Sequence, residues 1–272
     1  MKADGGRQMA ERRVLVCFPL NEEAAPFRKI AAGGSHRGQP VSILLTGIGR
    51  QNAERAVREF LAGGASVPAS RSQDDAAGHA RLVSHLAPHD FVFTCGFAGG
   101  LNPDLKLGDV VFEIPSRRRR GDESLIEIGN NFETPDVVSC ELNEKLVAAG
   151  AKPSKFFCAD RIATTVAEKR KLRDETGADV VEMESAAIHA VCLERGIPCA
   201  TVRVISDTAN EDLPLDFNVL TKPDKSLDYS KLFLAVAKSP GRIGALMKLQ
   251  KQTRFAAERL AEVLFRILQQ PR

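Results

Sequence analysis

Short apolar runs that alternate with helical patterns constrain this chain more than any other feature of its sequence. Helical patterns at residues 51–62 and 184–194 lie among these runs, and Gly196 with Pro198 after the second pattern favours a helix end. Strands that alternate with helices indicate a single α/β domain, whose central, mostly parallel mixed sheet is flanked by helices. Seven runs are apolar enough to be strands buried on both faces: residues 13–18, 41–46, 90–95, 108–113, 155–158, 179–182 and 199–205.

Two helical segments carry an apolar face. The first contains Ala53, Ala56, Val57, Phe60 and Leu61 at helical spacing. The second lies in a largely helical region at residues 229–269 that is broken near residues 239–241. Its apolar stripe consists of Phe255, Leu260, Val263, Leu264, Ile267 and Leu268.

These patterns predict a main domain at residues 12–212 and a helical C-terminal extension at residues 213–272, packed on the same domain. Stretches rich in Gly, Ser, Pro or charge predict irregular structure at residues 63–74, 115–122 and 210–228.

Composition excludes several classes of protein. The 272 residues carry a formal net charge of only +3, which gives no footprint for nucleic acid. The six cysteines form no zinc-binding spacing, so we expect reduced thiols and no metal. The first eleven residues lack the apolar core of a signal sequence, and no apolar run reaches the roughly 20 residues that span a bilayer. We therefore expect a cytoplasmic protein.

Carboxylates follow three of the predicted strands. Because ligands of open α/β sheets bind outside the carboxyl ends of strands, Glu23, Glu184 and Asp207 are candidate site residues. A glutamate such as Glu184 can accept hydrogen bonds from two adjacent hydroxyls, a partly buried Asp207 can act as a general acid, and Glu23 can orient a water molecule. We expect Asp207 to lie beside Glu184 if their strands are neighbours. The alternatives are glutamates favoured by a helix dipole, an Asp207 that caps the next segment, and an ordinary helix start at Glu23.

Glycine-rich turns follow two other strands. Gly47 and Gly49 allow backbone N–H groups to approach an anion, and with Arg50 they form a candidate phosphate site. Asn52 replaces the third glycine of a dinucleotide fingerprint, and a tight turn without a ligand is the alternative. The small residues of segment 96–101 also permit close approach of a ligand to the backbone.

Four motifs, in this order and spacing, resemble the nucleoside phosphorylase and nucleosidase superfamily, and especially its methylthioadenosine/S-adenosylhomocysteine nucleosidases. They are Gly47-Ile48-Gly49, Ala98-Gly99-Gly100-Leu101 through Leu107-Gly108-Asp109-Val110-Val111, Val181-Glu182-Met183-Glu184, and Val202-Arg203-Val204-Ile205-Ser206-Asp207. The resemblance covers roughly residues 14–207. It implies an N-glycosidic-bond-cleaving enzyme that releases a purine, is a homodimer and needs no cofactor.

The resemblance also implies roles for individual residues. Asp207 corresponds to the acid that protonates N7 of the purine, Glu184 and the Met183 backbone to the ligands of the ribose hydroxyls, and Glu23 to the carboxylate that orients the attacking water. Ser206 and Arg203 are implied to position Asp207. The remaining residues implied to contact the substrate are Glu182, Phe97, Ala98, Gly99, Arg161 and Ile162.

The sequence departs from the nucleosidase pattern at two positions and in its tail. Phe97 stands where a small serine is expected beside the sugar, and Arg161 where an aromatic side chain stacks on the base, although a guanidinium plane can also cover a base. The tail from Leu213 resembles the hopanoid-associated phosphorylases, which implies an adenosyl lipid as substrate. The four arginines at 117–120 are then candidates for anionic lipid headgroups, with a solvated loop as the alternative.

Three competing functions stay open from the sequence. Phosphorolysis, with phosphate at Gly47, Gly49 and Arg50, competes with hydrolysis assisted by Glu23. A nucleoside-binding sensor without turnover and a dinucleotide-dependent oxidoreductase are the alternatives from other classes.

Overall fold

The computed structural model describes residues 13–33, 40–63, 89–113, 136–220, 241 and 243–269. Within these ranges eight strands form one sheet: β1 (Val14–Phe18), β2 (Val41–Leu45), β3 (Phe91–Gly100), β4 (Val110–Glu113), β5 (Lys152–Ser154), β6 (Phe156–Cys158), β7 (Val180–Glu182) and β8 (Cys199–Asp207). Six helices are described beside it: α1 (Asn21–Gly33), α2 (Arg50–Leu61), α3 (Asp136–Ala148), α4 (Val166–Thr176), α5 (Ser185–Glu194) and α6 (Ile243–Gln269).

The sheet is mostly parallel, as the sequence predicts. Its main order is β2-β1-β3-β8-β4-β5, while β7 pairs with β3 and with β6. The β3–β7 and β4–β8 pairs are antiparallel, and the other strand pairs of the described chain are parallel. The predicted α/β class and the mixed sheet are confirmed.

Strand β3 positions the site because one of its edges changes partner half-way along. Its first half, from Phe91 to Thr94, pairs with β1. Since β1 ends at Phe18, the same strand pairs further on with β7, through Gly99 and Gly100. Strand β8 pairs with β3 along most of its length on the other side. The glycine-rich segment 96–100 is therefore the second half of a long strand, and not a segment that follows a strand ending at residue 95.

Two apolar clusters cover the two faces of the sheet. The larger one joins β1, β3, β4 and β8 to α1, α3 and α6. The other contains Ala53, Ala56 and Val57 of α2, with Phe60 and Leu61 packed against them, and residues of α5. The apolar face predicted for the helix at 51–62 is thus confirmed.

Helix α6 shares the larger cluster with the sheet. Leu260, Val263, Leu264 and Ile267 are buried there, as the predicted stripe requires. Phe255 departs from the stripe: it is 46% exposed, lies before the buried half of the helix, and has its ring close to Gly108. The chain contains no helix, within its described part, that is long and apolar enough to cross a membrane.

The sequence does not predict strand β5, because this strand lacks an apolar run. Its sequence Lys-Pro-Ser is compatible with a strand at the end of the sheet order, where proline costs no central hydrogen bond. The predicted arginine-rich loop at 115–122, most of the loop at 63–74, and residues 229–240 of the C-terminal region lie outside the described residues.

Candidate active site

A buried arginine forms the centre of the site. Arg203 lies on β8 with no measurable exposure. Its Nη2 donates to Oε2 of Glu182 at 2.6 Å and to the Thr94 hydroxyl at 3.3 Å, and lies 3.3 Å from Oε2 of Glu184. Its Nη1 donates to the Cys95 carbonyl at 3.1 Å. A charge buried to this extent requires such partners, because desolvation without them costs several kcal/mol.

Glu182 is the most fully bonded carboxylate of the cluster. Besides Arg203, its Oε2 accepts from the backbone N–H groups of Glu184 at 3.0 Å and Ser185 at 2.8 Å, and its Oε1 accepts from the Ser185 hydroxyl at 2.6 Å. Burial acts to raise the pKa of Glu182, but the Arg203 guanidinium and these hydrogen bonds outweigh it and lower the pKa. Glu182 therefore holds the start of α5 and balances the charge of Arg203.

Glu184 connects this cluster to the start of α2. Its Oε1 accepts from the backbone N–H of Gly49 at 2.8 Å. Burial raises the pKa of Glu184, and the negative charge of Glu182 adds to the shift, while Arg203 opposes it. The carboxyl retains lone pairs beyond these contacts, so it can still accept hydroxyl hydrogen bonds from a ligand.

Glu23 reaches the same cluster from α1. It is 3% exposed, and its two oxygens accept from the backbone N–H groups of Phe97 and Leu20, both at 2.8 Å. Burial, supported by the charge of Glu184, raises the pKa of Glu23 to about 8, although both hydrogen bonds and Arg203 act in the other direction. A carboxyl group with this pKa changes its ionisation just above neutral pH, which suits a general base.

Asp207 forms a second polar group, at the end of β8. Its Oδ1 accepts from the Ser206 hydroxyl at 2.8 Å, and its Oδ2 lies 2.6 Å from Nζ of Lys169. Oδ2 also lies 3.3 Å from where a Cβ of Gly99 would stand, so a side chain there would press on the carboxyl. Asp207 is thereby held against the second half of β3.

The sequence of the chain matches a known family of proteins. A sequence profile of the phosphorylase superfamily matches residues 19–238 of the 272. The chain belongs to this superfamily. The match begins directly after β1 and extends through β8, so it includes the buried carboxylate cluster and Asp207.

Relatives within the superfamily act on nucleosides according to their names. A 5′-methylthioadenosine/S-adenosylhomocysteine nucleosidase of Shewanella halifaxensis is 32% identical over 151 residues, which cover 50% of this chain and 64% of the relative. An aminodeoxyfutalosine nucleosidase of Helicobacter pylori is 29% identical over 153 residues, covering 53% and 65%. The chain thus spans a little under two thirds of the length of these curated relatives.

Solved structures agree with the superfamily fold. The Helicobacter pylori 5′-methylthioadenosine/S-adenosylhomocysteine nucleosidase with butyl-thio-DADMe-Immucillin-A has a TM-score of 0.60 at 18% identity, and the match covers 95% of this chain and 98% of that one. The Colwellia psychrerythraea nucleosidase in complex with adenine has a TM-score of 0.58 at 20% identity, covering 95% of each chain. At these identities the likeness shows the fold.

The expected neighbourhood of Glu184 and Asp207 needs correction. Their strands, β7 and β8, are not neighbours: β3 lies between them, and β7 runs antiparallel to it. Strand β7 therefore runs towards the start of β3. Its carboxyl end lies away from Gly99, which is the residue that pairs with Asp207. The candidate site therefore extends along the second half of β3, with Glu184 near one end and Asp207 at the other.

The implied contact between Arg203 and Asp207 also needs correction. Four residues along a strand span about 13 Å. Arg203 accordingly bonds to Glu182 and Glu184, and the cation at Asp207 is Lys169. The contact implied for Ser206 is present.

The residues around Phe97 line the strand between the two groups. The Phe97 backbone N–H donates to Glu23, and the Ala98 carbonyl lies 3.4 Å from the Ser206 hydroxyl. Met183, which follows Glu182, is buried. The contact of these residues with a substrate stays a prediction.

The structure does not bring Arg161 over the site. Its guanidinium is 63% exposed and pairs with Glu168 at 2.6 Å. The next residue, Ile162, uses both backbone groups on Asn218: its N–H donates to Oδ1 at 2.9 Å, and its carbonyl accepts from Nδ2 at 3.0 Å. The predicted role of Arg161 as a cover for the base has no support in this geometry.

The candidate phosphate site has its glycine donors engaged. The N–H of Gly47 donates to the Pro19 carbonyl, and that of Gly49 to Glu184. Both glycines have positive φ angles, 77° and 87°, which the tight turn into α2 requires. Arg50 donates to the Cys158 carbonyl and pairs with Asp160 at 3.3 Å. Phosphate binding here stays a prediction that needs at least one of these contacts to change.

Lys169 is the main site residue that the sequence did not reveal. It stands in the charged run 168–171, which is typical of a solvated helix face. One signal was present: Lys169 lies three residues after Val166 and three before Leu172, so it shares their side of α4.

A cavity of about 260 Å³ opens beside Asp207, between the segment after β8 and the first half of α6. Its walls are mixed. Apolar atoms come from Leu213, Pro214, Ala245 and Leu249, and polar groups from Glu211, Asp212, Lys248 and Gln252. The described residues contain no group of three or more His, Cys, Asp or Glu side chains arranged to hold a metal ion.

Proposed function

We propose that the protein cleaves the N-glycosidic bond of a purine nucleoside and that water is the acceptor. The observation that carries this proposal is the placement of buried carboxyl groups at both ends of segment 96–100. One end has Glu23 and Glu184 beside Arg203, and the other has Asp207. A reaction that needs an acid for the leaving base and carboxylates near a cationic sugar requires two such groups.

In the proposed reaction, Asp207 donates a proton to the purine while the bond between C1′ and the base nitrogen breaks. The base leaves with the electron pair of that bond. Positive charge develops on the ribose, where the carboxylate of Glu184 stabilises it and accepts hydrogen bonds from the hydroxyls. The oxygen of a water molecule then bonds to C1′, and Glu23 accepts its proton. No metal or organic cofactor takes part in these steps.

Hydrolysis is preferred to phosphorolysis because of the contacts at the glycine turn. A phosphate would need the N–H of Gly47 or Gly49, which already donate to Pro19 and Glu184. Glu23, with its pKa raised to about 8, supplies a base for water instead.

We further propose that the cavity beside Asp207 takes the 5′ substituent of the nucleoside. Its apolar wall, formed by Leu213, Pro214, Ala245 and Leu249, favours an apolar substituent. This agrees with the sequence resemblance to the hopanoid-associated phosphorylases, which lies in the part of the chain that lines the cavity.

The test is chromatographic detection of free base from a panel of nucleosides, each with and without phosphate. The panel contains adenosine, inosine, methylthioadenosine, S-adenosylhomocysteine and an adenosine with an apolar 5′ chain. We expect release without phosphate and the highest kcat/KM for an apolar 5′ group. Release that depends on phosphate would replace hydrolysis by phosphorolysis, and binding without release would favour a sensor.

Asp207→Asn separates chemistry from binding. Loss of the donated proton should lower kcat by about 100-fold or more, within the range typical of general acids, and leave KM nearly unchanged. Steady-state kinetics on the best substrate of the panel measures both parameters. A variant with the wild-type kcat would remove Asp207 from the acid role.

A further inference from the structure

Lys169 is a fully buried lysine on a helix whose other residues are at least partly exposed. Its side chain has no exposed surface, whereas its neighbours Arg170 and Lys171 on α4 are exposed. Burial of an ammonium group is unfavourable unless every N–H finds an acceptor. The contacts of Lys169 therefore indicate why the chain retains a charge in this position.

The ammonium of Lys169 uses all three of its N–H groups within one short segment. It lies 2.6 Å from Oδ2 of Asp207 and donates to the carbonyls of Thr208 at 2.7 Å and Glu211 at 2.9 Å. These three acceptors belong to the end of β8 and the turn that follows it. One cation thus fixes both the carboxyl group and the backbone on its C-terminal side.

The helix itself is held in place, so Lys169 approaches Asp207 from a rigid element. Helix α4 begins with a capping box, in which the Thr165 hydroxyl accepts from the Glu168 N–H and the Glu168 carboxyl accepts from the Thr165 N–H. Val166 is further tied to Asp212 through a backbone N–H at 2.6 Å. The position of the Lys169 ammonium is therefore determined before a substrate binds.

We propose that Lys169 is the positioning residue of Asp207, acting on the leaving base through that carboxyl group. This inference rests on the proposed function. Lys169 and Ser206 each bind one oxygen of Asp207, so the plane of the carboxyl is determined by two donors. Once Asp207 has given up its proton, the ammonium at 2.6 Å stabilises the carboxylate that remains.

Lys169→Met tests this role, because methionine keeps an unbranched chain and lacks the charge. We expect kcat to fall by about 10- to 100-fold with little change in KM. This loss is part of the rate enhancement that a general acid contributes. Lys169→Arg, which keeps the charge, should restore part of the activity. Lys171→Met is the matched control: this lysine is on the same helix, 74% exposed and 3.7 Å from Glu175, so its loss should leave kcat unchanged.

A double-mutant cycle distinguishes positioning from a general structural role. If Lys169 acts through Asp207, Lys169→Met should change the residual rate of Asp207→Asn by less than about 3-fold, because residues that act as a unit are non-additive. An equal loss of rate in both backgrounds would overturn the proposal, as would a Lys169→Met variant with wild-type kcat. If the wild type releases base and either of these two results is obtained, the proposed function stands and only the role of Lys169 is overturned.

NMR of the lysine ammonium groups in ¹⁵N-labelled protein provides a test that needs no substitution at residue 169 and no activity. We expect one slowly exchanging ammonium signal that shifts in Asp207→Asn and not in Lys171→Met. A spectrum without a protected ammonium signal, or with one that Asp207→Asn leaves unchanged, would overturn the pairing even if the protein cleaved no nucleoside of the panel.

Discussion

At the scale of residues, the charge balance around Arg203 decides how the buried carboxyl groups ionise. The guanidinium bonds most closely to Glu182, at 2.6 Å, and lowers the pKa of that residue despite burial. Glu184 lies farther from it, at 3.3 Å, and its pKa is raised, as is that of Glu23. The cluster thus places two carboxyl groups with raised pKa values, Glu184 and Glu23, beside the close pair of Arg203 and Glu182. A positive charge that develops on a ligand would favour the charged forms of these two carboxyl groups.

Glu23 should govern how the reaction rate depends on pH. Its pKa of about 8 means that the carboxylate needed to accept a proton from water forms as the pH rises through that value. We expect kcat/KM of the wild type to rise between pH 6.5 and about 9. Glu23→Gln should be slow and lack this rise; a rise that persists in the variant would assign it to another group.

The stability of the protein provides the control for this prediction. A raised pKa in the folded state means that Glu23 contributes most below its ordinary pKa of 4.5, and that this contribution is lost as the pH rises towards 8. The free energy of unfolding should therefore fall less steeply with pH in Glu23→Gln than in the wild type. Only the slope is diagnostic, because glutamine also loses one of the two acceptors for Leu20 and Phe97.

At the scale of elements, the second half of β3 determines the shape of the site. Three of its five residues, Gly96, Gly99 and Gly100, have no side chain, so β7, β8 and their polar groups can approach closely. A Cβ at Gly96 would lie 2.5 Å from Nη1 of Arg203 and 3.0 Å from Oε1 of Glu23. The acidic groups of three other elements therefore lie along this half of the strand.

Gly96→Ala should therefore reduce both stability and activity. Gly96 has a φ of +147°, and the added methyl would displace either Arg203 or Glu23. We expect a loss of more than about 2 kcal/mol in the free energy of unfolding, together with a large fall in kcat. Urea denaturation and steady-state kinetics measure the two effects.

Gly150→Ala is the matched control for this substitution. Gly150 also has a positive φ, +94°, but a Cβ there would meet nothing within 4 Å. The control should lose only about 1 kcal/mol of stability from the backbone conformation and keep its activity. Equal losses in the two variants would mean that backbone strain, and not the clash at the site, explains Gly96→Ala.

At the scale of the whole molecule, α6 completes the core instead of forming a separate unit. Its buried residues belong to the same cluster as β1, β3, β4 and β8, and it also packs against α1. Its first half lines the cavity beside Asp207, where Lys248 pairs with Glu211 at 2.6 Å. The profile of the phosphorylase superfamily likewise continues past residue 212, to residue 238.

Removal of residues 243–272 should abolish cooperative folding. The truncation uncovers one face of the sheet, and a buried leucine alone is worth about 2–5 kcal/mol when cut to alanine, against a total stability of about 5–15 kcal/mol. Thermal denaturation followed by circular dichroism measures the loss.

Leu260→Ala should lower the Tm clearly, and Met247→Ala, at a residue 56% exposed on the same helix, should not. A truncated protein that still melts cooperatively would show that the chain up to residue 242 folds without α6.

The sequence by itself determined seven of the eight strands, three of the six described helices and most of the acidic residues. Strands buried on both faces must be continuously apolar, so β1, β2, β3 and β8 could be recognised from their runs. A carboxylate within a few residues of the end of such a run lies near the carboxyl edge of the sheet, which makes Glu23, Glu184 and Asp207 candidate site residues. These inferences are local, because burial and backbone direction act on neighbouring residues.

Only the tertiary structure decided which of these residues meet. The antiparallel direction of β7 and the position of β3 between β7 and β8 separate Glu184 from Asp207, and strand pairing leaves no mark on either strand alone. Lys169 reaches Asp207 from 38 residues away in the chain, within a charged run that predicts a solvated face. An ion pair of this kind depends on how α4 packs against the end of β8, and packing between distant segments is a property of the folded chain.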